Sequence, residues 1–448
     1  MSDLDRRGFL KQSALGMTAA TAATLLGETQ AAKAEASERV RVGCVGTGGR
    51  AGFLVRAFAA NPEVDVVALA DLDPRRLAAG VQAVKDITGK APAAEKDFRH
   101  LVDDNSLDAL VVGTPDHWHA IPTIMGCLAG KDVYVEKPDS HNIVEGRTMV
   151  AAMKKHKRVV QMGTQARTSE HFQGAVDYAR SGALGRVLVA KAWESSRQGS
   201  LGHPADTDPP EGVDYDFWLG PAPKRPFNPM RFHGNWRWFF DYGTGDLGND
   251  GVHRLDYARW ALSAAGEAQG EKPLYMPTKI SAVGGKWYFD DIQEWPDTLQ
   301  VNYEYPGDAG KPGKILTYEM RVWVPYDYNG EGEGAILYGD KGYLIIGNDR
   351  WRAYNPDGEI VAQGSGGNDG TTHIQNFVDC IKSRRREDLI ADVEQGHYSA
   401  MLCHLGNIAY RTGRRLEFDG ESETFPHDPA ANQLLAREYR QGFELPKI

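Results

Sequence analysis

The sequence predicts an α/β protein in which a doubly wound parallel sheet is followed by a C-terminal α/β domain with a large, mainly antiparallel open sheet. From Val40 onward, short apolar strands alternate with helices at the spacing of βα units. From Lys279 onward, segments with a period of two indicate antiparallel strands that are solvated on one face. The 448 residues, 41% of them hydrophobic, suffice for the cores of two such domains.

The composition excludes some classes of partner and site. The formal net charge is −10, whereas a nucleic-acid-binding protein needs a basic face to neutralise phosphates. We therefore expect a small-molecule partner and no nucleic acid. The cysteines form no CxxC pair and have no metal-ligand spacing, so neither a disulfide framework nor a metal site is predicted. They are Cys44, Cys127, Cys380 and Cys403.

The N-terminus has the three parts of an export signal. A twin-arginine stretch, Arg6-Arg7-Gly8-Phe9-Leu10-Lys11, precedes a weakly apolar segment over residues 13–27 that is short for a bilayer span. Ala32-Lys33-Ala34 then provides a cleavage site. We predict a twin-arginine signal peptide over residues 1–34 and cleavage near Ala34. The mature protein would be periplasmic or secreted and would have no membrane span.

A glycine-rich loop follows the first predicted strand. Residues 46–51 read Gly-Thr-Gly-Gly-Arg-Ala, the G-x-G-x-x-A pattern of dinucleotide-binding folds. The first glycine permits a tight turn, the second lets the backbone approach a pyrophosphate, and the alanine lets the next helix pack closely. That helix presents free N–H groups to the phosphates. The cofactor-binding candidates from this loop are Gly46, Gly48, Gly49, Arg50 and Ala51.

The second predicted strand, over residues 64–70, ends at Asp71, 25 residues after the first loop glycine. A carboxylate there accepts hydrogen bonds from the ribose hydroxyls and repels a 2′-phosphate, so NAD is predicted rather than NADP. Arg75 and Arg76 follow closely and keep NADP as the less favoured alternative. We predict a Rossmann domain over residues 38–165.

Polar residues follow the carboxyl ends of the further predicted strands of this sheet. Ligands bind beyond these ends in a doubly wound sheet, so the polar residues are candidates for the cofactor site. The strand over 107–113 leads to Thr114, Pro115 and His119, the strand over 132–135 to Glu136 and Lys137, and the strand over 158–162 to Gln165. Asn142 and Glu145 form a capping pair that predicts a helix ending near His156.

Residues 166–424 are predicted to form the second domain, which would hold the substrate. Its predicted helices cover 169–180, 373–383 and 395–412, and its predicted strands cover 186–193, 279–288, 298–305, 314–324, 334–338 and 342–346. A Pro/Gly-rich passage over 198–229 favours irregular structure, and so long a loop inside a domain is usually functional. The tail over 425–448 is typical of an extended arm, a common oligomer contact, which predicts a homo-oligomer such as a dimer or tetramer.

The chain resembles the Gfo/Idh/MocA family of oxidoreductases, and it does so over essentially the whole mature chain. The motifs that carry the resemblance are Glu136-Lys137-Pro138, Thr114-Pro115-x-x-x-His119 and Gly251-Val252-His253-x-x-Asp256. Stretches over 213–221 and 235–238 are similar to secreted members. The resemblance implies NAD-dependent oxidoreductase activity. It extends, less closely, to NAD-dependent glycosidases that oxidise a sugar carbon transiently.

The resemblance also implies roles for individual residues. Lys137 would be the catalytic lysine near the nicotinamide and the reacting hydroxyl, where an ammonium stabilises a developing alkoxide. His253 is the second candidate acid or base. Many family members have Asp four residues before this His, where this chain has Asn249. Asp246 and Asp250 are close enough in sequence to take over that role.

Flat aromatic rings beside polar groups suit the faces and hydroxyls of a sugar. The substrate-binding candidates are Lys137, Tyr215, Trp236, Arg237, Trp238, Asp241, Asp246, Asn249 and His253.

Three functions remain open at this stage. The first is hydride transfer between NAD and a secondary alcohol of a sugar, glycoside or cyclitol. The second couples the same oxidation to elimination of a glycosidic bond and returns the hydride afterwards. The third is a non-catalytic sugar or NAD sensor, against which the presence of Lys137 and His253 counts. Export of a folded protein favours a tightly held cofactor, and so a closed redox cycle.

Overall fold

The computed structural model describes residues 39–307, 310–367 and 370–448. The predicted signal peptide lies outside this part of the chain. Two sheets organise the described residues. Within these residues, none of the helices combines the length and the apolar character that a membrane crossing requires.

Six parallel strands form the first sheet. They are β1 (Val40–Val45), β2 (Val64–Ala70), β3 (Ala93–Glu95), β4 (Ala109–Val112), β5 (Asp132–Val135) and β6 (Val160–Met162). Their order is β3-β2-β1-β4-β5-β6, the order of a dinucleotide-binding doubly wound sheet, which confirms the predicted Rossmann fold. Every residue of β4 and β5 is buried, as central parallel strands are when helices cover both faces.

Helices cover both faces of the first sheet. The helices of the chain are α1 (Gly49–Ala60), α2 (Pro74–Thr88), α3 (Arg99–Asp103), α4 (Ala120–Leu128), α5 (Ile143–His156), α6 (Glu170–Arg180), α7 (Tyr215–Leu219), α8 (Gly245–Asn249), α9 (Gly251–Glu267), α10 (Thr371–Ser383), α11 (Val393–Thr412) and α12 (Pro429–Asn432). One face is covered by α1 together with α10, where the rings of Phe58 and Phe377 meet edge to face. The predicted cap of α5 is present, since the Asn142 side chain accepts the backbone N–H of Glu145 at 3.0 Å.

Nine strands form the second sheet. They are β7 (Val187–Ser195), β8 (Lys279–Gly285), β9 (Thr298–Tyr305), β10 (Lys314–Arg321), β11 (Glu333–Gly339), β12 (Gly342–Ile346), β13 (Arg350–Tyr354), β14 (Ile360–Ser365) and β15 (Leu416–Glu417). Their order is β14-β13-β12-β11-β7-β10-β9-β8-β15. One face packs on α6, α9 and α11 in a shared apolar core. The alternating burial along β9 reflects this one-sided packing.

The predicted strands of the second sheet are largely confirmed, and β7 adds a parallel pairing that the prediction did not address. Segments 298–305 and 342–346 have the predicted bounds, whereas the strands predicted over 279–288 and 314–324 end earlier, at Gly285 and Arg321. The prediction of an antiparallel arrangement among the later strands did not include β7. That strand inserts between β11 and β10 and runs parallel to β10, because an apolar pattern records burial and not strand direction. The largely exposed β14 carried no alternating apolar signal.

The two long helices near the C-terminus have different positions. α10 returns to the first domain and packs beside α1. α11 lies under the second sheet, with Met401 and Leu405 in its core. The two helices, both predicted within residues 166–424, therefore pack on different sheets.

The tail over residues 425–448 packs on its own chain. Phe425 and Leu435 are buried in the core of the second domain. Further along, Tyr439 donates its hydroxyl to Glu145 at 3.0 Å and Arg440 donates to the carbonyl of Gly220 at 2.6 Å. The tail therefore differs from the predicted extended arm, because its apolar residues find partners within the chain.

A buried ion pair joins the turn that follows β6 to α9. Arg167, just after β6, donates from Nε and Nη2 to both carboxylate oxygens of Asp256 in α9 at 2.7–3.1 Å. Ser399 of α11 donates to the same carboxylate at 2.5 Å. The side chains of Arg167 and Asp256 are only 5% and 1% exposed, so each charge depends on the other.

We predict that Asp256→Ala lowers the free energy of unfolding by about 3–5 kcal/mol, because it leaves the Arg167 guanidinium buried without its anion. Urea unfolding followed by circular dichroism measures the change. The matched control is Asp65→Ala, which removes the exposed Arg39–Asp65 pair and is expected to cost less than about 1 kcal/mol. Equal losses in the two variants would contradict the prediction.

Candidate active site

A cavity of about 370 Å³ lies between the two domains, at the carboxyl ends of β1, β2, β4 and β5. Most of the predicted cofactor residues line it. Those from the first domain include Gly46, Gly48, Gly49, Arg50, Asp71, Thr114, Pro115, His119, Glu136 and Lys137. Residues of the second domain complete the lining, among them Phe217, Trp218, Phe232, His233, Trp236, Arg237 and Asn249. The chain thus brings the glycine loop and the Glu-Lys-Pro motif to one cleft.

The glycine loop has the shape that a dinucleotide needs. Gly46 has φ +91°, and a Cβ added there would lie 3.1 Å from the carbonyl oxygen of Gly113, so the turn depends on glycine. The helix α1 begins at Gly49, and its N-cap residue Gly48 offers no side-chain cap. The first N–H groups of α1 are therefore available for phosphate oxygens.

Asp71 closes the adenosine end of the cavity. Its Oδ2 accepts hydrogen bonds from the backbone N–H of Thr47 at 2.8 Å and from the Thr47 hydroxyl at 2.9 Å. The loop and the carboxylate are thus held together, as ribose recognition requires. Arg76 lies across Gly48, where an added Cβ would approach Nη1. The cation and the carboxylate face the same end of the cavity.

Lys137 is held by the second domain. Its Nζ donates to the backbone carbonyl of Asn249 and, at 3.1 Å, to the Asn249 side-chain Oδ1. The carboxylate of Asp250 is 3.8 Å away. Because an ammonium has three donors and two are directed at Asn249, one remains for a ligand. Asn249, which stands where many family members have Asp, is therefore the main hydrogen-bond partner of Lys137.

Glu136 organises the residues around Lys137. It accepts the Nε–H of Arg50 at 2.9 Å, and it is buried.

Gln165 was also predicted to bind the cofactor. Its side chain donates to the hydroxyl of Tyr134 at 3.0 Å, and it is not among the residues that line the cavity.

His119 connects two strand-end loops. Its ring nitrogens lie 2.7 Å from the carbonyl of Thr114 and 2.5 Å from the carbonyl of Pro138. The ring is buried, and both nitrogens are engaged by backbone. His119 forms part of the cavity wall, but its polar atoms hold the Thr114 and Pro138 loops together.

His253, Asp246 and Asp250 are close enough to Lys137 to interact with its charge, but none of the three lines the cavity. Burial and the nearby cations, Lys137 first among them, hold the pKa of His253 well below its usual value, so the ring is neutral at neutral pH. Burial and the charge of Asp250 raise the pKa of Asp246 to about 7. Asp246 is 1% exposed, and neither of its oxygens has a hydrogen-bond partner among the described residues. The site thus contains one neutral base and one buried acid.

The predicted substrate residues divide into two groups. Trp236 and Arg237 line the cavity, whereas Trp238 is 3% exposed and lies in the core of the second domain. Trp236 and Trp238 belong to one turn of 3₁₀ helix, Asn235–Trp238, and residues two apart on such a turn face different sides. Tyr215 stacks on Trp218 outside the lining. Asp241 lies elsewhere, paired with Arg225 at 2.9 Å.

Some cavity residues were missed by the sequence analysis. His233 contacts the Asp73 carboxylate at 2.9 Å and so joins the second domain to the loop after β2. The sequence around Asp73 does indicate a helix start, because an Asp followed by Pro74 is typical of an N-cap, and Asp73 caps α2. Trp218 lies in the stretch 213–221 that carried the family resemblance, but sequence spacing did not distinguish it from Tyr215. In the described ranges, no group of three or more His, Cys, Asp or Glu residues is arranged to hold a metal ion.

Comparison with known families gives matches over most of the chain. Residues 40–164 match the description "Oxidoreductase family, NAD-binding Rossmann fold". Residues 190–304 and 330–445 match the description "Oxidoreductase family, C-terminal alpha/beta domain".

Curated relatives are similar over part of their length. An inositol 2-dehydrogenase of Rubrobacter xylanophilus is 34% identical over 160 residues, which are 35% of this chain and 44% of that protein. A glycosyl hydrolase family 109 protein of Saccharopolyspora erythraea is 29% identical over 158 residues, 34% of each chain. A levoglucosan dehydrogenase of Pseudarthrobacter phenanthrenivorans is 25% identical over 189 residues, 42% of each chain. The chain spans less than half the length of these relatives.

Solved structures share the fold. An aldose-aldose oxidoreductase from Caulobacter crescentus, complexed with glycerol, has a TM-score of 0.62 and 20% identity, covering 85% of this chain and 100% of that one. The WlbA dehydrogenase from Bordetella pertussis, in complex with NADH and UDP-GlcNAcA, has a TM-score of 0.60 and 18% identity, covering 85% and 99%. The two matched domains and the cleft between them lead to one assignment: this chain belongs to the Gfo/Idh/MocA family of oxidoreductases and uses its first domain to bind NAD.

Proposed function

We propose that this protein transfers a hydride between NAD and a secondary alcohol of a sugar, glycoside or cyclitol. One observation carries the proposal. The Lys137 ammonium lies in the wall of the cavity, between the glycine loop and the Trp236–Arg237 segment, with two of its donors held by Asn249. This is where a group that stabilises an alkoxide is needed.

The first domain would hold the cofactor by the groups described above. The N–H groups at the start of α1 would bind the pyrophosphate, and Asp71 would accept the ribose hydroxyls. The uncapped helix start and the positive φ of Gly46 fit such a group. When bound, NAD supplies the hydride acceptor.

The chain's own residues would handle the proton and the oxygen. The remaining donor of Lys137 binds the hydroxyl oxygen of the substrate and stabilises its developing negative charge. His253 does not line the cavity, so it would receive the proton through an intervening group, and its lowered pKa makes it a weak proton acceptor. Asn249 cannot titrate, so it positions Lys137 without competing for the proton.

The second domain would bind the sugar through rings and charges. Trp218, Phe232 and Trp236 line the same cavity, and aromatic faces pack well on the C–H faces of a sugar ring. Arg237 is oriented by hydrogen bonds to the carbonyl of Gly234 at 2.8 Å and to Gln198 Oε1 at 3.2 Å. A fixed guanidinium is suited to hydroxyl or carboxylate oxygens.

A second candidate function adds glycosidic cleavage to the same oxidation. The similarity to a glycosyl hydrolase family 109 protein favours it. Elimination needs an additional base, and Asp246, a buried carboxyl with both oxygens unpartnered, is the candidate. Because we also propose twin-arginine export, a cycle that retains its NAD would suit the destination.

The function predicts that the purified protein oxidises at least one member of a panel of sugars, glycosides and cyclitols when NAD is supplied. Lys137→Ala is expected to lower kcat at least about a hundredfold, because the alkoxide loses its donor. NADH fluorescence measures turnover, and a separate titration should show NAD affinity within about threefold of the original. The matched control is Lys154→Ala, which removes an exposed ion pair with Glu394 and should leave kcat unchanged.

The same assay distinguishes the candidates. NADH that accumulates with oxidised sugar supports dehydrogenation, whereas cleaved glycoside without free NADH supports the closed cycle. Full activity in Lys137→Ala would contradict both, and failure of every substrate to turn over would favour the sensor.

Cofactor preference should depend on Asp71. The original protein is expected to bind NAD more tightly than NADP, and Asp71→Ser should reduce that preference at least about tenfold, because a 2′-phosphate is no longer repelled. Fluorescence titration with both reduced cofactors measures it. Thr47→Val removes one hydrogen bond to Asp71 but keeps the carboxylate, so it should preserve the preference. An equal change in both variants would mean that loop geometry, not charge, sets the choice.

Asp246 should make stability fall with rising pH. Its pKa in the folded protein is about 7, against about 3.9 in an unfolded chain. Between these values the folded state holds a proton that the unfolded state has released, so stability is lost as pH rises through this window. Asp246→Asn should therefore gain about 2 kcal/mol relative to the original between pH 5 and pH 8, measured by urea unfolding. Asp177→Asn, on an exposed helix face, is the control. A pH-independent difference would contradict the assignment.

A further inference from the structure

A second cavity, of about 250 Å³, lies apart from the active site. It is bounded by the start of α5, the segment over 240–244, the last turns of α11 and the tail over 434–438. The residues that matter in it are His141, Asn142, Asp241, Arg411 and Arg437. Asp241, predicted from the sequence to bind substrate, lies here.

The second cavity contains hydrogen-bond donors that have no acceptor. Nε and Nη1 of Arg437 and Nδ2 of Asn142 are buried and have no partner among the described residues. Arg411 lies over the ring of Phe240 with its guanidinium carbon 4.8 Å from the centroid. Buried N–H groups are nearly always satisfied in native proteins, so these unpaired donors indicate a missing acceptor.

The neighbouring carboxylates do not supply that acceptor. Arg225 engages Asp241 at 2.9 Å and Glu294 at 3.0 Å. Glu145 accepts from the Tyr439 hydroxyl at 3.0 Å and from the backbone N–H of His141 at 2.9 Å. Burial raises the pKa of Glu145, which weakens its charge further. Arg437 therefore keeps buried donors without a partner among the described residues. Arg411 is exposed and lies near the charges of Asp241 and Glu294, and the carboxylate-bearing residue Glu438 also lines the cavity.

One acceptor also faces this space. His141 Nε2 lies 2.9 Å from the carbonyl of Phe240, so it must carry the ring proton. Burial, and next the charge of Arg437, hold the pKa of His141 well below its usual value, so the ring stays neutral. Its Nδ1 is then a lone pair, and it is buried without a partner.

We propose that the second cavity binds a small oxyanion that also carries a hydroxyl group, either hydrogen phosphate or a hydroxycarboxylate of the sugar-acid type. Its charged oxygens accept from Arg437, Arg411 and Asn142, and its O–H donates to Nδ1 of His141. This assignment accounts for each unpaired group at once. It is independent of the proposed hydride transfer, because none of these residues lines the active-site cavity.

Isothermal titration of the full chain tests this inference. The protein is first saturated with NAD, so that the pyrophosphate site is filled, and is then titrated with inorganic phosphate, with gluconate and with sulfate. We expect one site per chain for phosphate or gluconate, and the tighter of the two identifies the source. Sulfate, which has no O–H at neutral pH, should bind at least about tenfold more weakly, because it cannot donate to His141.

Variants locate the site. Arg411→Gln and Arg437→Lys should each weaken binding at least about tenfold, the first by loss of charge and the second by loss of the guanidinium fork. Arg415→Gln, which removes an exposed pair with Glu304, is the matched control and should bind as the original does. Thermal unfolding of each variant verifies folding, and the more exposed Arg411 keeps the test valid if Arg437→Lys unfolds. Absence of binding to the NAD-saturated protein, or binding unaffected by both variants, would overturn the proposal.

Discussion

The hydrogen bonds from Lys137 to Asn249 connect the two halves of this protein at the point where chemistry is expected. Lys137 stands at the end of β5 in the parallel sheet, and Asn249 ends α8 in the second domain. Both acceptors belong to one residue, so the ammonium has a defined direction and keeps one donor for a ligand. A side chain with this much rotational freedom would otherwise lose its position to solvent. The charge of Lys137 adds to the effect of burial in lowering the pKa of His253, whereas burial and the charge of Asp250 raise the pKa of Asp246.

The two domains are joined by polar contacts that are individually costly to break. His233 of the second domain contacts Asp73 of the first, and the bidentate pair of Arg167 with Asp256, immediately after the first domain, is nearly inaccessible to solvent. A buried pair adds little net stability compared with an apolar substitute, but loss of one partner is severe. Such contacts therefore favour one relative placement of the domains over others. That placement sets the distance between the glycine loop, which we propose binds the pyrophosphate of NAD, and the Trp236–Arg237 segment, which we propose binds the sugar.

Unpaired buried polar groups occur in this chain at two places that can be given a chemical reason. Asp246 lies within range of the charge of Lys137, and this carboxyl without partners holds its proton up to about neutral pH. Arg437 and Asn142 lie in the second cavity, where unused donors surround a space of suitable size for a small oxyanion. A folded chain rarely leaves such groups unsatisfied without compensation.

The sequence by itself determined the parts of this protein that depend on local pattern. The βα alternation predicted the parallel sheet, the G-x-G-x-x-A loop predicted the turn at Gly46, and Asp71 and Lys137 were located as strand-end residues. The alternation over 298–305 and 342–346 predicted β9 and β12 to the residue. Only the tertiary structure decided which side chains meet. Asn249 is the hydrogen-bond partner of Lys137. Trp236 lines the cleft, whereas Trp238 is buried in the core of the second domain. Asp241 lies in the second cavity. β7 also paired in parallel with β10. The reason is that periodicity reports which face of an element is buried, whereas contacts between distant segments depend on how the buried faces of separate elements pack together.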